Sequence, residues 1–465
     1  MKILVEHKII TRMKTVLFGR IQIVFTILFS LNTLIVNSGN VEELKTNLQN
    51  ASGIEKVDLL NELAVAVWNS DRKEAFNYAE QAWLIAKETG YDHGRATAVK
   101  NMGVVKFFTG DYEEAKNYYN QAYSIFDSLT DKKGMGACKH NLAYICHLQG
   151  EYQKALELYK ESLQIDLELG DEEGIAGSYH NIGDLYYHLA DYSTALNYFE
   201  DALTIFTQLD NKNKMCELIV NIGAIYEKSD NIQMAIQKNR EAMGIAVEAV
   251  NKRMEGLCLN NLGSNFVILE KPDEALDYLI RAILIRDEID DKKGMMESLK
   301  LIGQAFELKG LHDKAIDYYF QSLKFSEEMD DKRNTSEIFT LIGINLTLKK
   351  RYSSAIQYFM QSLEISEKIG ARAEVMENYH QLAMVWSSRN NYDSASFYIH
   401  KYALLFDSIS GKKVPVEFLE EKILQTGKGP LEKKINNYRI IILIGSILLF
   451  ILAVVLVVIL RRKLV

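Results

Sequence analysis

The sequence predicts an all-α chain, a solenoid of about nine helical hairpins followed by one C-terminal transmembrane helix. Three observations carry that expectation. One motif returns every forty residues, only 3 of 465 residues are proline, and residues 440–460 hold no charge. Few prolines and 48% hydrophobic residues favour long helices over a β or disordered chain, and 465 residues exceed one ordinary globular core.

In chain order, the N-terminus comes first. Ile21–Val36 is uncharged, follows Lys14 and Arg20, and ends at compact residues before Gly39, so 1–38 reads as a signal peptide or an uncleaved anchor. The repeats are expected over 41–408. Aligned on the copy NIGDLYYHLADYSTALNYFEDA, the motif starts at Asn101, Asn141, Asn181, Asn221, Asn261, Leu301, Leu341 and Gln381, and a ninth copy starts at Glu62 with one residue deleted. Each copy has a reason to recur. Small residues such as Gly103, Ala143, Gly183 and Gly223 let a second helix cross closely, and twelve residues later Ala115, Ala155, Ala195 and Ala235 supply the matching small contact. Between them Gly110, Gly150 or Gly310 can take the left-handed conformation that ends a helix. Asp111, Glu151 and Asp191 are expected to begin and cap the second helices. Aromatics such as Tyr119, Tyr159, Phe199 and Phe359 fill the space between units. A single hairpin cannot bury its apolar face, whereas stacked copies can.

After Ser408 the period is lost. Pro415 and Pro430 break residues 409–438 into a linker expected to run up to the membrane. The transmembrane helix is expected at 439–461, because the uncharged run Ile440–Leu460 rises about 31 Å against a hydrocarbon core of about 30 Å. Arg461, Arg462 and Lys463 mark a short basic tail, 462–465 with its flank, on the cytoplasmic side.

Charge narrows the partners. The net charge is −8, and residues 1–40 and 438–465 contribute +4 each, so the residues between them carry −16. An acidic body disfavours nucleic acid, which needs Lys and Arg to displace its counterions. The four cysteines, Cys138, Cys146, Cys216 and Cys258, have no metal-ligand spacing and are expected to be buried free thiols. No phosphate-binding, zinc-protease or serine-hydrolase motif is found, so neither an enzyme nor a cofactor is expected.

The pattern resembles the tetratricopeptide repeat family, whose signature is matched by Ile182-Gly183, Tyr186, Ala195, Phe199 and Ala202 and recurs in phase over about 54–408. The period is forty rather than thirty-four, and the proline that usually closes each unit is missing. Segments such as Leu169–Gly183 place the added residues in a longer second helix and its connection. This form is similar to the repeats of kinesin light chains, Leu-Gly-Asn adaptors and bacterial peptide-sensing regulators. The resemblance implies a TPR-type solenoid that binds a peptide or protein in its concave groove. With the two apolar ends it implies a single-pass bacterial inner-membrane protein, its repeats periplasmic and its C-terminus cytoplasmic. Such a protein would be the sensory part of a receptor whose output, a histidine kinase or regulator, is encoded separately; the alternative is a constitutive scaffold for an envelope complex.

The first helix of each hairpin lines that groove. Asn101, Asn141, Asn181, Asn221 and Asn261 form a row at one register, read either as a ladder for an extended peptide or as bonds to neighbouring helices. Lys100, His140, His180 and Asn260 share the adjacent register, with Tyr144, Asp184 and His188 beside them. His180 and His188 lie about 12 Å apart along one helix and cannot share an ion, whereas His140, His180 and Asp184 could gather across two helices. A polar strip touching a ligand, and simple solvated residues, are the other readings.

Overall fold

A computed structural model describes residues 41–410. Among them are nineteen helices. The first, α1, covers 41–50, and the second, α2, is Gly53–Val67. The pattern then settles into α3 Arg72–Thr89, α4 Asp92–Phe108, α5 Tyr112–Ser128, α6 Lys132–Leu148, α7 Tyr152–Leu169, α8 Glu172–His188 and α9 Tyr192–Gln208. It continues through α10 Lys212–Lys228, α11 Ile232–Glu248, α12 Lys252–Ile268, α13 Pro272–Glu288 and α14 Lys292–Leu308. The last helices are α15 His312–Glu328, α16 Lys332–Leu348, α17 Tyr352–Lys368, α18 Arg372–Ser388 and α19 Tyr392–Ser410. Two compact units divide the chain, one ending at Leu185 and the other beginning at Tyr186, inside α8.

The forty-residue period is two twenty-residue steps. Each step is a helix and a short turn, and from Gly90 to Asn390 every twentieth residue has positive φ. The turn closes in the same way each time. In the first unit Asp131 N–H donates to Phe126 C=O at 2.9 Å and Thr130 N–H to Asp127 C=O at 2.9 Å, which bonds the last helical carbonyls. Glycine stands at Gly110, Gly150 and Gly310, as expected, yet Thr130 and Val250 hold the same conformation at φ 54° and 53°. A β-branched residue there is strained, so the stacked helices rather than the local residue impose the turn.

Capping differs from expectation. Of Asp111, Glu151 and Asp191, only Asp191 accepts a backbone N–H, from Thr194 at 3.2 Å. The stronger caps start the first helices: Asp131, Asp171, Asp291 and Asp331 each accept from the N–H three residues on at 3.0 Å. The added residues are likewise shared. Residues 172–181 form the first half of α8, so the first helix of the hairpin is lengthened as much as the second.

Close crossing explains the small residues, although their partner is an aromatic or large side chain rather than the alanine. A methyl group on Gly103 would lie 2.8 Å from the Tyr119 ring, and one on Gly343 would lie 2.5 Å from Phe359. Ala115, Ala155, Ala195, Ala235, Ala275, Ala315, Ala355 and Ala395 are each fully buried. The four cysteines are buried free thiols.

The membrane expectation is corrected. Among the described residues no helix is long and apolar enough to cross a membrane. The reason is amphipathicity: a helix of 17 residues such as α5 buries Ala115, Tyr119, Ala122 and Phe126 while its other face carries charge, and it spans only about 26 Å. Among the described residues the fold class is the all-α helical-hairpin solenoid with no transmembrane helix, and the single-pass inner-membrane localisation is set aside with it. The expected signal or anchor at 1–38, the transmembrane run at 439–461, the tail at 462–465 and all but the first two residues of the 409–438 linker lie outside the described residues.

Candidate functional site

Several members of the expected asparagine row are engaged by the protein itself within each unit. In the first unit Asn101 is buried and its Nδ2 donates to the Asn61 carbonyl and to Asn61 Oδ1, both at 3.3 Å. Asn61 in turn donates to Gly94 C=O at 3.1 Å. Asn181 Nδ2 donates to His140 Nε2 at 3.1 Å, one repeat away. That bond occupies the ring lone pair a metal would need, which weakens the His140, His180 and Asp184 grouping as a metal site.

Packing sets the character of this strip. The His140 ring meets Tyr159 edge-on at 5.7 Å, and burial, then the nearby His180, hold its pKa below the ordinary imidazole value. Tyr144 is 38% exposed and tilts against Phe107 at 5.5 Å; burial, then Asp184, raise its phenol pKa. His180 and Asp184 are half-buried. The Tyr159 hydroxyl is buried with no hydrogen-bond partner among the described residues.

In the second unit His188 is exposed at the end of α8 and Asn221 is half-buried. Asn260 is buried and accepts from Ser298 Oγ at 2.8 Å, and Asn261 Nδ2 donates to Asn239 Oδ1 at 3.2 Å. A chain of bonds follows. Asn239 Nδ2 reaches Asn265 Oδ1 at 3.4 Å, and Asn265 Nδ2 reaches Glu227 Oε2 at 2.7 Å.

Three expected residues do meet at an opening. Lys100, Asn101 and Asn141 line a cleft of about 310 Å³ in the first unit, with Val65 and Trp68 on one side and Val104 and Ala137 on the other. The elements fix each of them. Trp68 caps the end of α2 and stacks on Phe108 at 4.2 Å, α4 carries Lys100, Asn101 and Val104, and α6 carries Ala137 and Asn141. Among the described residues Lys100 has no acid within ion-pair distance and the Asn141 carboxamide has no hydrogen-bond partner. A free cation, a free amide and an indole wall thus share one cleft.

Sequence reasoning missed that wall. Trp68 and Val65 belong to the irregular first copy, where one residue is deleted and the register is hardest to read. A second opening, of about 670 Å³, lies between α1 and α2 and is lined by Asn47, Asn50, Ile54, Glu55, Asp58 and Glu62. Helix α1 precedes the period, so no repeat signal marks it.

Known proteins agree with this geometry at the level of fold. Residues 57–128, 137–208 and 257–328 match the family model described as tetratricopeptide repeat. No curated protein matches the chain. Among solved structures it is similar to the Signal Transduction ATPase with Numerous Domains protein with a tetratricopeptide repeat sensor from Pyrococcus horikoshii, at 15% identity and TM-score 0.57 over 80% of this chain and 55% of that one. Aspartyl phosphate phosphatase F from Bacillus subtilis matches at 16% identity and TM-score 0.52, over 78% of this chain and 97% of that one. A Rap protein complexed with Competence and Sporulation Factor matches at 16% identity and TM-score 0.51, over 77% and 99%. Identities this low carry fold alone. With the family model matched in three separate stretches and helices of the same hairpin register throughout the described residues, the matched stretches are tetratricopeptide repeats.

Proposed function

We propose that the chain is a non-catalytic binding module that takes an extended peptide or protein segment along the first-helix face of its first unit. The observation that carries this reading is the cleft between α2, α4 and α6, where beside Trp68 Lys100 and Asn141 have no ion-pair or hydrogen-bond partner among the described residues. A carboxamide bonds a peptide backbone through both its donor and its acceptor, an ammonium takes an acidic side chain, and an indole face takes an apolar one. Tyr144, His180 and Asp184 extend the polar surface toward α8, and His140, Asn101 and Asn181 hold the helices in register. Asn260 and Asn261, in the second unit, serve packing through their internal bonds more than contact, while His188 and Asn221 lie outside the first-unit cleft. The complex of the similar Rap protein with Competence and Sporulation Factor supports a binding role for such a fold, and the sensor named in the Pyrococcus protein supports a sensory one.

Selection of a random peptide library on the immobilised full chain tests this. Peptides enriched on the wild type are expected to bind the Lys100→Ala, Asn141→Ala double variant at least about tenfold more weakly, equivalent to about 1.4 kcal/mol. Equal binding to both proteins would place the ligand elsewhere.

A further inference from the structure

We propose that Cys216 and Cys258 are a disulfide-forming pair, a modification site at which hydrogen peroxide joins α10 to α12. The two thiols sit on the first helices of consecutive hairpins within the second unit, and both are buried, at 1% and 0% exposure. They share one apolar cluster with Ile219, Ala242 and Ala246. Cys216 Sγ donates to the Ala242 carbonyl at 3.3 Å, and the Cys258 thiol packs beside it in the same cluster, close enough for each sulfur to shift the other's titration. The two sulfurs are therefore already neighbours, with alanine rather than a bulky side chain on the helix that packs against both.

The remaining hairpins show that this is a local feature. Residues at the registers of Cys216 and Cys258 are Ala96 and Cys138, Gly136 and Ser178, Met296 and Ile338, and Ser336 and Asn378. None of these offers two thiols. Cys138 and Cys146, also buried, stand two turns apart on α6, about 12 Å along its axis, beyond disulfide reach.

The neighbouring thiols also divide the labour. Cys258 beside it holds the Cys216 pKa below the ordinary thiol value, while Cys216 and burial raise that of Cys258, so Cys216 is the readier of the two to give up its proton and act as the nucleophile. The Cys216 thiolate attacks one oxygen of hydrogen peroxide; an S–O bond forms, the O–O bond breaks, and hydroxide leaves and takes a proton to become water. The Cys258 sulfur then attacks the Cys216 sulfenic acid; the S–S bond forms, the S–O bond breaks, and the thiol proton leaves with the oxygen as a second water. Two thiols lose two electrons in all, and one peroxide takes them.

The test uses the full chain, reduced and then treated with a modest excess of hydrogen peroxide. Thiols counted in denaturant are expected to fall from four to two, and a non-reducing tryptic digest to contain residues 215–228 linked to 254–281, two hydrogens lighter than their sum. Reductant should restore four. The Cys216→Ser variant, checked for helix content, is expected to lose no thiol as disulfide. Four thiols remaining in the treated wild type, a Cys216 carried to sulfinic acid with no linked peptide, or a linked peptide that contains Cys138 or Cys146 would each overturn the assignment.

Discussion

Lys100 and Lys300 occupy the same position of the repeat, five periods apart, and they are used in opposite ways. In the second unit Lys300 Nζ reaches Glu337 at 2.8 Å and Asn334 at 3.2 Å, so its charge is matched inside the fold. The residues at those registers in the first unit are Ala137 and Gly134, and Lys100 has no such partner among the described residues. The difference extends to the core. Around α16–α18 the hydroxyls of Ser336, Thr340, Ser362 and Ser366 and the amide of Asn378 close on one another at 2.7–3.4 Å, fully buried or nearly so. Around α6 and α7 the buried Tyr159 hydroxyl is unmet, whereas Tyr319, its counterpart in α15, donates to Glu307 at 3.1 Å. One repeat thus serves two ends: a polar cluster closed on itself, as around Asn378, holds the stack, and a cleft whose polar groups are left open can hold something else.

The widest gap between the two regions should appear on truncating a matched group. Asn378→Ala removes a donor and an acceptor from a site with 0% exposure and strands Ser362 and Thr340, so a loss of about 2–3 kcal/mol is expected in urea or thermal unfolding. Lys100→Ala should change stability by less than about 0.5 kcal/mol, since it has no partner to strand. Similar losses for both variants would erase the contrast. Next in size is Gly343→Ala, whose methyl group would lie 2.5 Å from the Phe359 ring; about 1–3 kcal/mol is expected, read as faster hydrogen exchange across α16 and α17.

That second prediction rests on a feature legible in the sequence. Gly103, Gly303 and Gly343 recur in step with the large residue sixteen positions on, Tyr119, Tyr319 and Phe359, so the crossing of the hairpin could be read from period alone. The twenty-residue turn was less legible, because Thr130, Val250 and Lys350 give no local sign of left-handed backbone. The site was only half visible. A row of asparagines is evident in one dimension, but whether each is engaged depends on residues one repeat away: Asn101 on Asn61, Asn181 on His140, Asn260 on Ser298. The exchange of Glu337 for Ala137 was readable by register, and it is what separates a matched lysine from an open one.

Supplying the missing acid tests that separation directly. Ala137→Glu places in the first unit the carboxylate that the second unit has, and it should draw the Lys100 ammonium into an internal pair while narrowing the cleft. Library-selected peptides are expected to bind this variant about tenfold more weakly, with stability raised by no more than about 0.5 kcal/mol, as for a partly exposed pair. Undiminished binding, measured by calorimetry, would show that Lys100 does not contact the ligand.

Acid offers the finest distinction, because the two networks differ in whether they can titrate. Ser336, Thr340, Ser362 and Asn378 have no proton to gain near neutrality, whereas Asn181 donates to a His140 nitrogen that must stay unprotonated to accept. Burial holds the folded His140 below the ordinary imidazole value of about 6.5, with His180 as the nearby titratable neighbour that adds to the effect. The sign follows from that direction. As pH falls below about 6.5 the unfolded chain takes up the proton first, so the stability this contact contributes is present at higher pH and is lost as pH falls through the folded value. Hydrogen exchange in α6 and the first unit's part of α8 is therefore expected to quicken between pH 7 and 5.5, after correction for intrinsic rates, while α16–α18 are unchanged. His140→Gln keeps an acceptor for Asn181 without a titrating ring and should flatten the response, and a flat response in the wild type would mean that the His140–Asn181 bond contributes nothing that protonation can remove.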